Sequence, residues 1–237
     1  MKKDLNYKAV DLGLPSGLLW ANKNVGAETK ADAGLYFAWG DTVGYTAEQV
    51  GVDKEFLWED YKFGDYFEEN LSKYFPGVDK LTKLQPEDDA VIQFMGGDWR
   101  MPTKEDFQEL IEYTEVYLVS KTGKEIPIDY KKDYLFGLEE FSFPNKNTIS
   151  GIKLYNLNSK SSYLFFPSTG VANECVINNE FGIHVWCADV SGYHSAYTFS
   201  VYPDLGHGGI GICKRFMGQA LRGVKLKKNK NSHEKKI

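Results

Sequence analysis

Apolar and polar residues alternate over the last third of the chain in the way that short strands require. Between residues 151 and 226, apolar runs are separated by clusters of Gly, Asn, Ser and Pro at strand-and-turn spacing. In the segment HSAYTFSVY, Tyr197, Phe199 and Val201 share one face, and smaller or more polar residues share the other. We therefore expect a sheet with one packed face and one partly open face. The predicted strands are 151–156, 162–167, 182–187, 194–202, 209–213 and 220–226.

The segment LQPEDDAVIQFMGG (84–97) predicts a short helix. Pro86 suits the first helical position, and Gly96 suits the stop. The three acidic residues that follow Pro86 would lie in the first turn, where the helix dipole favours negative charge. Calcium-binding loops space their acids at alternate positions around a Gly turn, so helix capping explains these carboxylates better than a calcium site does.

The next segment, GGDWRMPTKEDFQEL, predicts a rigid entry into an amphipathic helix. Thr103 suits the N-cap, and Asp106, three residues later, places a carboxylate near free backbone amides. We expect Trp99 to anchor this joint in the core and Arg100 to satisfy buried carbonyl groups. The positions that follow at helical spacing are Phe107, Leu110, Ile111 and Thr114. The helix is therefore predicted to pack against a sheet.

Composition favours one large β-rich domain. The 237 residues are 42% hydrophobic and 15% aromatic and include 23 Gly, which is typical of short strands and turns around a substantial core. We assign residues 1–226 to a single α+β domain and residues 227–237 to a basic, disordered tail. The tail holds five Lys and one Glu, so the net charge of −5 becomes −9 on residues 1–226. An acidic body argues against nucleic acid as a partner.

The sequence shows no recognisable targeting signal or membrane-spanning segment. No run approaches the roughly 20 apolar residues that span a bilayer, and the opening MKKDLNYKAVDLGL lacks the apolar core of a signal peptide. We expect no membrane insertion and no signal peptide in this chain. The export route stays open, because a virion protein needs no signal peptide.

Several segments carry a resemblance to a known family. The longest are AVDLGLPSGLLWANKNVGA (9–27), GLYFAWGDT (34–42) and the stretch 84–110, which contains both predicted helices. Together with YLFFPSTG, GIHVWCADVSGYHSAYTFSVY and ALRGVKL, which follow in family order, they resemble the Fibrobacter succinogenes major paralogous domain family. The chain departs from the family pattern at residues 187–189, where Cys-Ala-Asp replaces serines, and at RGVKL, where the family tends to have an Arg-Pro pair.

The resemblance implies a C-type lectin-like fold, because the family is similar to such domains. It implies early helices, small antiparallel sheets and long C-terminal loops that present a binding surface. It also implies a non-enzymatic display role, commonly at bacterial surfaces. The expected protein is therefore extracellular, on a cell surface or a virion, and binds a protein or glycan ligand.

The region after residue 183 has an unusual composition. Lys, Glu, Gln, Met and Trp make up 56 of the 237 residues, but only Trp186 belongs to this set between His184 and Cys213. A codon that ends in C or T cannot encode these five residues, so the stretch resembles the variable region of diversity-generating retroelement targets. That resemblance implies a diversified binding face. Burial is the other explanation, because buried strands and Gly-rich turns also lack Lys, Glu and Gln.

We expect residues 187–219 to supply most of the contact loops. Their Tyr side chains offer large contact areas at a low cost in conformational entropy, and the nearby His and Asp residues offer hydrogen bonds. A stable oligomer formed through the same loops would instead favour a structural fibre or adhesin module. The predicted ligand-binding residues are Asp189, Ser191, Tyr193, His194, Tyr202, Asp204, His207 and Arg215.

No metal or cofactor is expected. Three of the four His and all three Cys lie between residues 175 and 213. However, His184 and Cys187 would face opposite sides of a strand, so they cannot share one zinc ion. A single disulfide is left open, because Cys187 and Cys213 lie on predicted strands that could be neighbours.

An enzyme is the alternative function, because formylglycine-generating and sulfoxide-forming enzymes are built on a similar lectin-like scaffold. Those enzymes use closely spaced Cys pairs or a His-rich iron site. Here Cys175 and Cys187 are twelve residues apart, and no His-x-x-x-His-x-Glu run occurs. The chain also lacks a nucleophile elbow, a Walker loop and a dinucleotide fingerprint. The Gly-rich GHGGIGI (206–212) does not open a helix, so we predict a hairpin loop there rather than a phosphate site.

Overall fold

The computed structural model describes residues 6–64, 71–75, 77–128, 149–178, 182–202 and 207–228. Within these ranges the chain forms twelve β-strands in four antiparallel sheets, two α-helices and one 3₁₀ turn. The fold is therefore α+β with a sheet-rich core, which agrees with the class that composition predicts. Asp204 and most of the basic tail lie outside the described residues.

The strands are β1 Ala9–Asp11, β2 Leu18–Ala21, β3 Thr114–Ser120, β4 Glu125–Ile128, β5 Ile149–Asn156, β6 Ser159–Pro167, β7 Val171–Asn173, β8 Val176–Asn178, β9 Ile183–Val190, β10 Ser195–Tyr202, β11 His207–Lys214 and β12 Val224–Leu226. The helices are α1 Ala90–Met95 and α2 Lys104–Glu112, and the 3₁₀ turn is Pro86–Asp88. The strand orders are β1-β2-β12, β11-β10-β9, β4-β3-β5-β6 and β7-β8.

The two ends of the described chain meet in one sheet, which we call the terminal sheet (β1, β2 and β12). Strand β12 pairs with β2, so that Val224 lies opposite Trp20. Val224 also exchanges backbone hydrogen bonds with Arg100, in the joint that precedes α2. A segment near the end of the chain therefore connects the first strands to the first helices.

Arg222 locks the terminal sheet to the four-stranded sheet. Its guanidinium is fully buried and donates to the Asn24 side-chain oxygen at 2.8 Å and to the carbonyls of Ala21 and Phe165 at 2.9 Å each. The group also lies 4.3 Å from the centre of the Phe166 ring. Desolvation lowers the pKa of Arg222 to about 9, so it remains charged at neutral pH.

Both predicted helices are present, but the first begins later than expected. Pro86 opens a 3₁₀ turn, and α1 starts only after Asp89, whose side chain accepts from the amides of Val91 and Ile92. Gly96 ends α1 with a φ of 66°, a conformation that favours glycine. Asp89 is thus the N-cap of α1 rather than a residue in its first turn.

The predicted capping box of α2 is confirmed. The Thr103 hydroxyl accepts from the Asp106 amide at 3.2 Å, and the Asp106 carboxylate accepts from the Thr103 amide at 2.7 Å. Arg100 donates to this carboxylate at 2.6 Å and to the Met101 carbonyl at 2.8 Å. Trp99 is buried in the core, as predicted. The joint therefore fixes the direction in which α2 leaves it.

The sheet β11-β10-β9 separates two hydrophobic clusters. Phe199 and Val201 point toward α2, where the Phe107 ring stacks on Phe199 with centres 4.8 Å apart. Trp186 and Ala196 point into the other cluster. The expectation of a partly open second face is wrong for the centre of the sheet, because that face packs against residues from the first hundred positions.

The strand predictions are mostly confirmed. Strands β5, β6, β9 and β10 occur with bounds within three residues of those predicted. Strand β11 confirms the predicted strand 209–213, and it overturns the overlapping prediction of a hairpin loop at 206–212. Only the last three residues of the predicted strand 220–226 form a strand, and Ala220 forms an isolated β-bridge with Val185. Periodicity did not predict β1 to β4, β7 or β8, because five of these six strands are only three or four residues long.

Candidate ligand-binding surface at the β9–β10 turn

The turn between β9 and β10 presents the most exposed part of the predicted surface. It is closed by the Ser191 amide, which donates to the Ser195 carbonyl at 3.0 Å. Gly192 adopts a φ of 124°, which a residue with a side chain rarely adopts. Beyond this glycine, Tyr193 is 53% exposed and His194 is also exposed. Two aromatic side chains therefore stand at the end of the hairpin.

Arg215 holds this turn from behind. Its guanidinium donates to the Gly192 carbonyl, to the Ser195 carbonyl at 3.1 Å and to the Tyr74 carbonyl at 2.9 Å. Its backbone amide donates to the His194 carbonyl at 2.8 Å. The side chain is fully buried. Arg215 is therefore an anchor of the turn, which corrects its assignment to the contact surface.

The buried state of Arg215 rests on neutral partners. Its guanidinium lies 5.0 Å from the Trp39 ring centre. Among the described residues no carboxylate forms an ion pair with it. Desolvation lowers the pKa of Arg215. The charge is thus satisfied by carbonyl dipoles and aromatic faces, an arrangement that fixes the turn geometry.

Aromatic rings continue from the exposed turn into the core. The Tyr193 ring lies 5.2 Å from the Phe75 ring, and the His194 ring lies 5.1 Å from the Trp58 ring, both edge-on. Trp58 is buried and meets Phe216 at 6.2 Å. We call these five residues, Trp58, Phe75, Tyr193, His194 and Phe216, the aromatic tip. Its outer members are accessible, while its inner members hold them in place.

Asp189 belongs to the framework rather than to the tip. Its carboxylate is only 3% exposed and accepts from the Lys104 amide at 2.8 Å, at the start of α2. The Lys83 ammonium lies 3.4 Å away. Desolvation raises the pKa of Asp189, although the amide and Lys83 oppose that rise. Its assignment as a surface contact is therefore corrected.

The remaining predicted residues do not gather at the tip. Tyr202 lies at the other end of β10, about 23 Å along the strand from Ser195, and pairs with His207. The Tyr202 ring lies 5.1 Å from the His184 ring, and burial raises the pKa of Tyr202. The structure describes only the backbone of His207. The predicted set is thus split between the two ends of the β10–β11 hairpin.

Burial accounts for much of the composition between residues 184 and 213. Ile183 to Asp189, Ala196 and Thr198 to Val201 are all buried. Strands β9 and β10 therefore lack Lys, Glu and Gln for a structural reason. The exposed positions are Tyr193 and His194 at the tip and Ile212 and Lys214 on β11. Only part of the range 187–219 is therefore available for contact loops, because Cys187 to Asp189 and most of β10 are buried.

Sequence reasoning missed the base of the tip. Trp58, Phe75 and Phe216 come from segments that were not predicted to approach residues 191–195. The signal available was the density of aromatic residues between 56 and 63, where Phe, Trp, Tyr and Phe recur within eight positions. It also missed Ile212, which is 63% exposed on β11.

The cysteines are free and lie apart. Cys187 is buried on the α2 side of the sheet, whereas Cys213 packs against the other cluster. Their strands are separated by β10, so their backbones are about 10 Å apart, too far for a disulfide. His184 lies on the face opposite Cys187, as predicted, and its Nδ1 is 3.0 Å from the Ser200 hydroxyl. Within the described residues no group of three metal-ligating side chains occurs.

Comparisons with known proteins return no relatives. No protein-family model, curated protein or solved structure matches the chain. Among the described residues, no helix has the length and apolar character to cross a membrane.

Proposed function

We propose that the protein is a non-enzymatic, ligand-binding surface display protein of the receptor or adhesin type, built on a C-type lectin-like fold. The aromatic tip is its binding face. The observation that carries the proposal is the pairing of two exposed aromatic side chains, Tyr193 and His194, with a turn that a buried arginine holds rigid.

Rigidity matters because binding costs conformational entropy. Arg215 reaches three carbonyls, two of them in the turn itself, so the turn is ordered before any ligand arrives. A rigid scaffold that presents a short loop is the usual arrangement for recognition. Binding energy at such surfaces concentrates in a few aromatic anchors.

The chemistry of the tip suits a protein or glycan ligand. Tyr193 offers an aromatic face and a hydroxyl, and His194 adds a ring that can donate or accept. Lys214 lies 5.7 Å from the Phe216 ring and contributes a cation beside the tip. A mixed aromatic and polar surface with little charge favours an uncharged polar partner over nucleic acid.

The proposed location is a cell surface or a virion. The family resemblance supports this location, and the two exposed positions of the turn, Tyr193 and His194, fit a diversified loop because both side chains reach solvent. A reverse-transcriptase gene and a near-copy of the 3′ coding region beside this gene would establish diversification. Phage tail genes in the same neighbourhood would place the protein on a virion.

The thiols support the non-enzymatic proposal. Desolvation raises the pKa of Cys213 to about 11 and that of Cys187 well above its usual value. Both groups are therefore protonated at neutral pH, and a protonated thiol is a poor nucleophile. Cys175 is a free, exposed cysteine on the turn between β7 and β8, and the proposed function assigns it no role.

A glycan and protein array tests the proposal. Ligands of the wild-type chain should be lost from a Tyr193→Ala, His194→Ala double variant, with affinity at least about tenfold lower. Tyr113→Ala is the matched control, because Tyr113 is 40% exposed at the end of α2. Binding that is unchanged in the double variant, or lost equally in the control, would overturn the choice of the tip.

A further inference from the structure

The two edges of the sheet β11-β10-β9 are treated very differently. On the β9 edge, the amides of Trp186, Ala188 and Val190 donate to the carbonyls of Ala220, Pro102 and Thr82 at 3.1, 2.8 and 2.9 Å. The His184 amide donates to the Thr169 hydroxyl at 3.0 Å. Every second residue along this edge is therefore paired with another part of the chain.

The β11 edge has no such cover within the described residues. The Arg215 amide bonds to His194, so alternation along the antiparallel pair turns Cys213, Gly211 and Gly209 toward β10. The amides and carbonyls of Gly208, Ile210 and Ile212 then point outward; Gly208 is buried, Ile210 is half-buried and Ile212 is exposed. No backbone partner for them occurs among the described residues.

The residues of β11 also lack the features that usually block an edge. Natural edge strands carry Pro, inward charges or bulges that prevent pairing with another chain. The edge strand β4 carries Pro127 and Glu125. In contrast, β11 carries three glycines, two isoleucines and no carboxylate; its one lysine, Lys214, is the last residue of the strand, and Ile212 is 63% exposed. The part of the edge around Ile210 and Ile212 is therefore open to an incoming strand, whereas Gly208 is buried.

We propose that β11 is a dimerisation edge that pairs antiparallel with β11 of a second copy of this chain. A two-fold axis at Gly211 places Ile210 opposite Ile212 of the second copy, so the pairing uses the open part of the edge. All four isoleucines then share one sheet face. Gly211, at the axis, faces its own counterpart without a side chain between them.

Charge favours a second copy as the occupant. In this register the two Lys214 ammonium groups are about 20 Å apart along the strands, so no like charges lie opposite each other. β11 itself carries no acidic residue, although residues 1–226 carry a net charge of −9. Two β11 strands can therefore pair without opposing carboxylates, although each body is acidic.

The dimer would join two three-stranded sheets into one of six strands. An interface of one strand pair lies at the small end of the range for specific complexes, so we expect a dissociation constant of the order of micromolar. Lys214 is next to Ser195, so the two aromatic tips would lie at opposite ends of the strand pair. If the tips bind ligand as proposed above, the dimer is bivalent.

Sedimentation velocity over a concentration series, without ligand, tests this inference separately from the proposed function. The wild-type chain should shift from monomer to dimer as its concentration rises. Ile212→Pro removes an outward amide without breaking a bond to β10, and Ile212→Lys adds an edge charge. Both variants should raise the dissociation constant at least about tenfold. Val176→Lys is the matched control, because Val176 is also 63% exposed, and it should dimerise like the wild type.

Circular dichroism confirms that each variant is folded, and hydrogen exchange locates the contact. The amides of Ile210 and Ile212 should become protected as concentration rises, while those of an exposed turn should not. A wild-type chain that stays monomeric to several hundred micromolar overturns the proposal and leaves the edge to a strand of another protein. A dimer that persists unchanged in both Ile212 variants also overturns it.

Discussion

Arg222 and Arg215 are both buried without a carboxylate partner among the described residues, but they serve regions with different roles. Arg222 joins β2, β6 and the start of β12, so its three acceptors lie in the frame of the fold. Arg215 joins an exposed turn to Tyr74. A buried arginine bonded to neutral oxygen acceptors can therefore serve either role: Arg222 holds the framework together, and Arg215 holds an exposed turn in place.

The largest effect is expected at Arg222. Arg222→Ala leaves three buried oxygen acceptors unpaired and opens a cavity, so the free energy of unfolding should fall by about 4 kcal/mol. Arg222→Lys should recover little of this loss, because one ammonium cannot reproduce the planar fork. Urea unfolding measures both. Lys227→Ala, an exposed neighbour, is the control and should change stability by less than about 1 kcal/mol.

Arg215→Ala should have a smaller global effect and a larger local one. We expect a loss of about 3 kcal/mol of unfolding free energy, together with faster hydrogen exchange at residues 191–195. Lys214→Ala is the control and should leave exchange in the turn unchanged. If exchange in the turn is also unchanged in Arg215→Ala, then the turn is held by its own hydrogen bonds.

Asp88 and Asp89 are neighbouring buried carboxylates whose pKa values shift in opposite directions, so they make stability depend on pH in opposite ways. Burial raises the pKa of Asp88, but the hydrogen bonds from Lys62, Lys73 and Tyr74 outweigh it, so the net shift is downward. Its stabilising contribution is therefore present above about pH 4 and is lost as the pH falls through the folded-state pKa. Asp88→Asn should cost about 2 kcal/mol at pH 7 and progressively less below pH 4.

The pKa of the adjacent Asp89 is shifted in the opposite direction, upward. Desolvation raises its pKa above the usual value, despite amide donors that include Met101 and Val91. The folded state therefore binds a proton more tightly than the unfolded state, and the unfolding free energy falls as the pH rises through this window. Urea unfolding between pH 3 and pH 7 should show that the unfolding free energy of Asp88→Asn falls less on acidification than that of the wild type. A parallel profile for Asp88→Asn and the wild type would contradict the assignment.

The capping box of α2 should contribute about 1 kcal/mol. Thr103→Ala removes the acceptor for the Asp106 amide, whereas Thr103→Ser keeps it. Thermal unfolding should separate the two variants, with Thr103→Ser close to the wild type. Equal losses in both would point to the threonine methyl group rather than to the hydrogen bond.

The smallest stability effect is expected at the tip. Tyr193→Ala should change the free energy of unfolding by less than about 0.5 kcal/mol, because more than half of the side chain is exposed. Chemical denaturation measures this change, and Tyr113→Ala should behave in the same way. A loss above 1 kcal/mol would assign Tyr193 to the framework.

Local signals determined several features from the sequence alone. Thr103 and Asp106 lie three residues apart, so the capping box needs no distant partner to form. Gly96 ends α1 because its positive φ is a local property. The alternation that predicts β10 likewise depends only on neighbouring residues.

Tertiary structure alone decided where the polar residues of the candidate site lie. Nothing near Arg215 in the sequence indicates that its guanidinium meets Tyr74, more than a hundred residues away. The sequence predicts that Asp189 lies in an exposed loop, whereas in the structure its carboxylate accepts from the first amide of α2. The pairing of β2 with β12 and the burial of both faces of β10 also depend on contacts between distant segments. Burial is a property of what packs against a residue, and sequence spacing alone does not encode that partner.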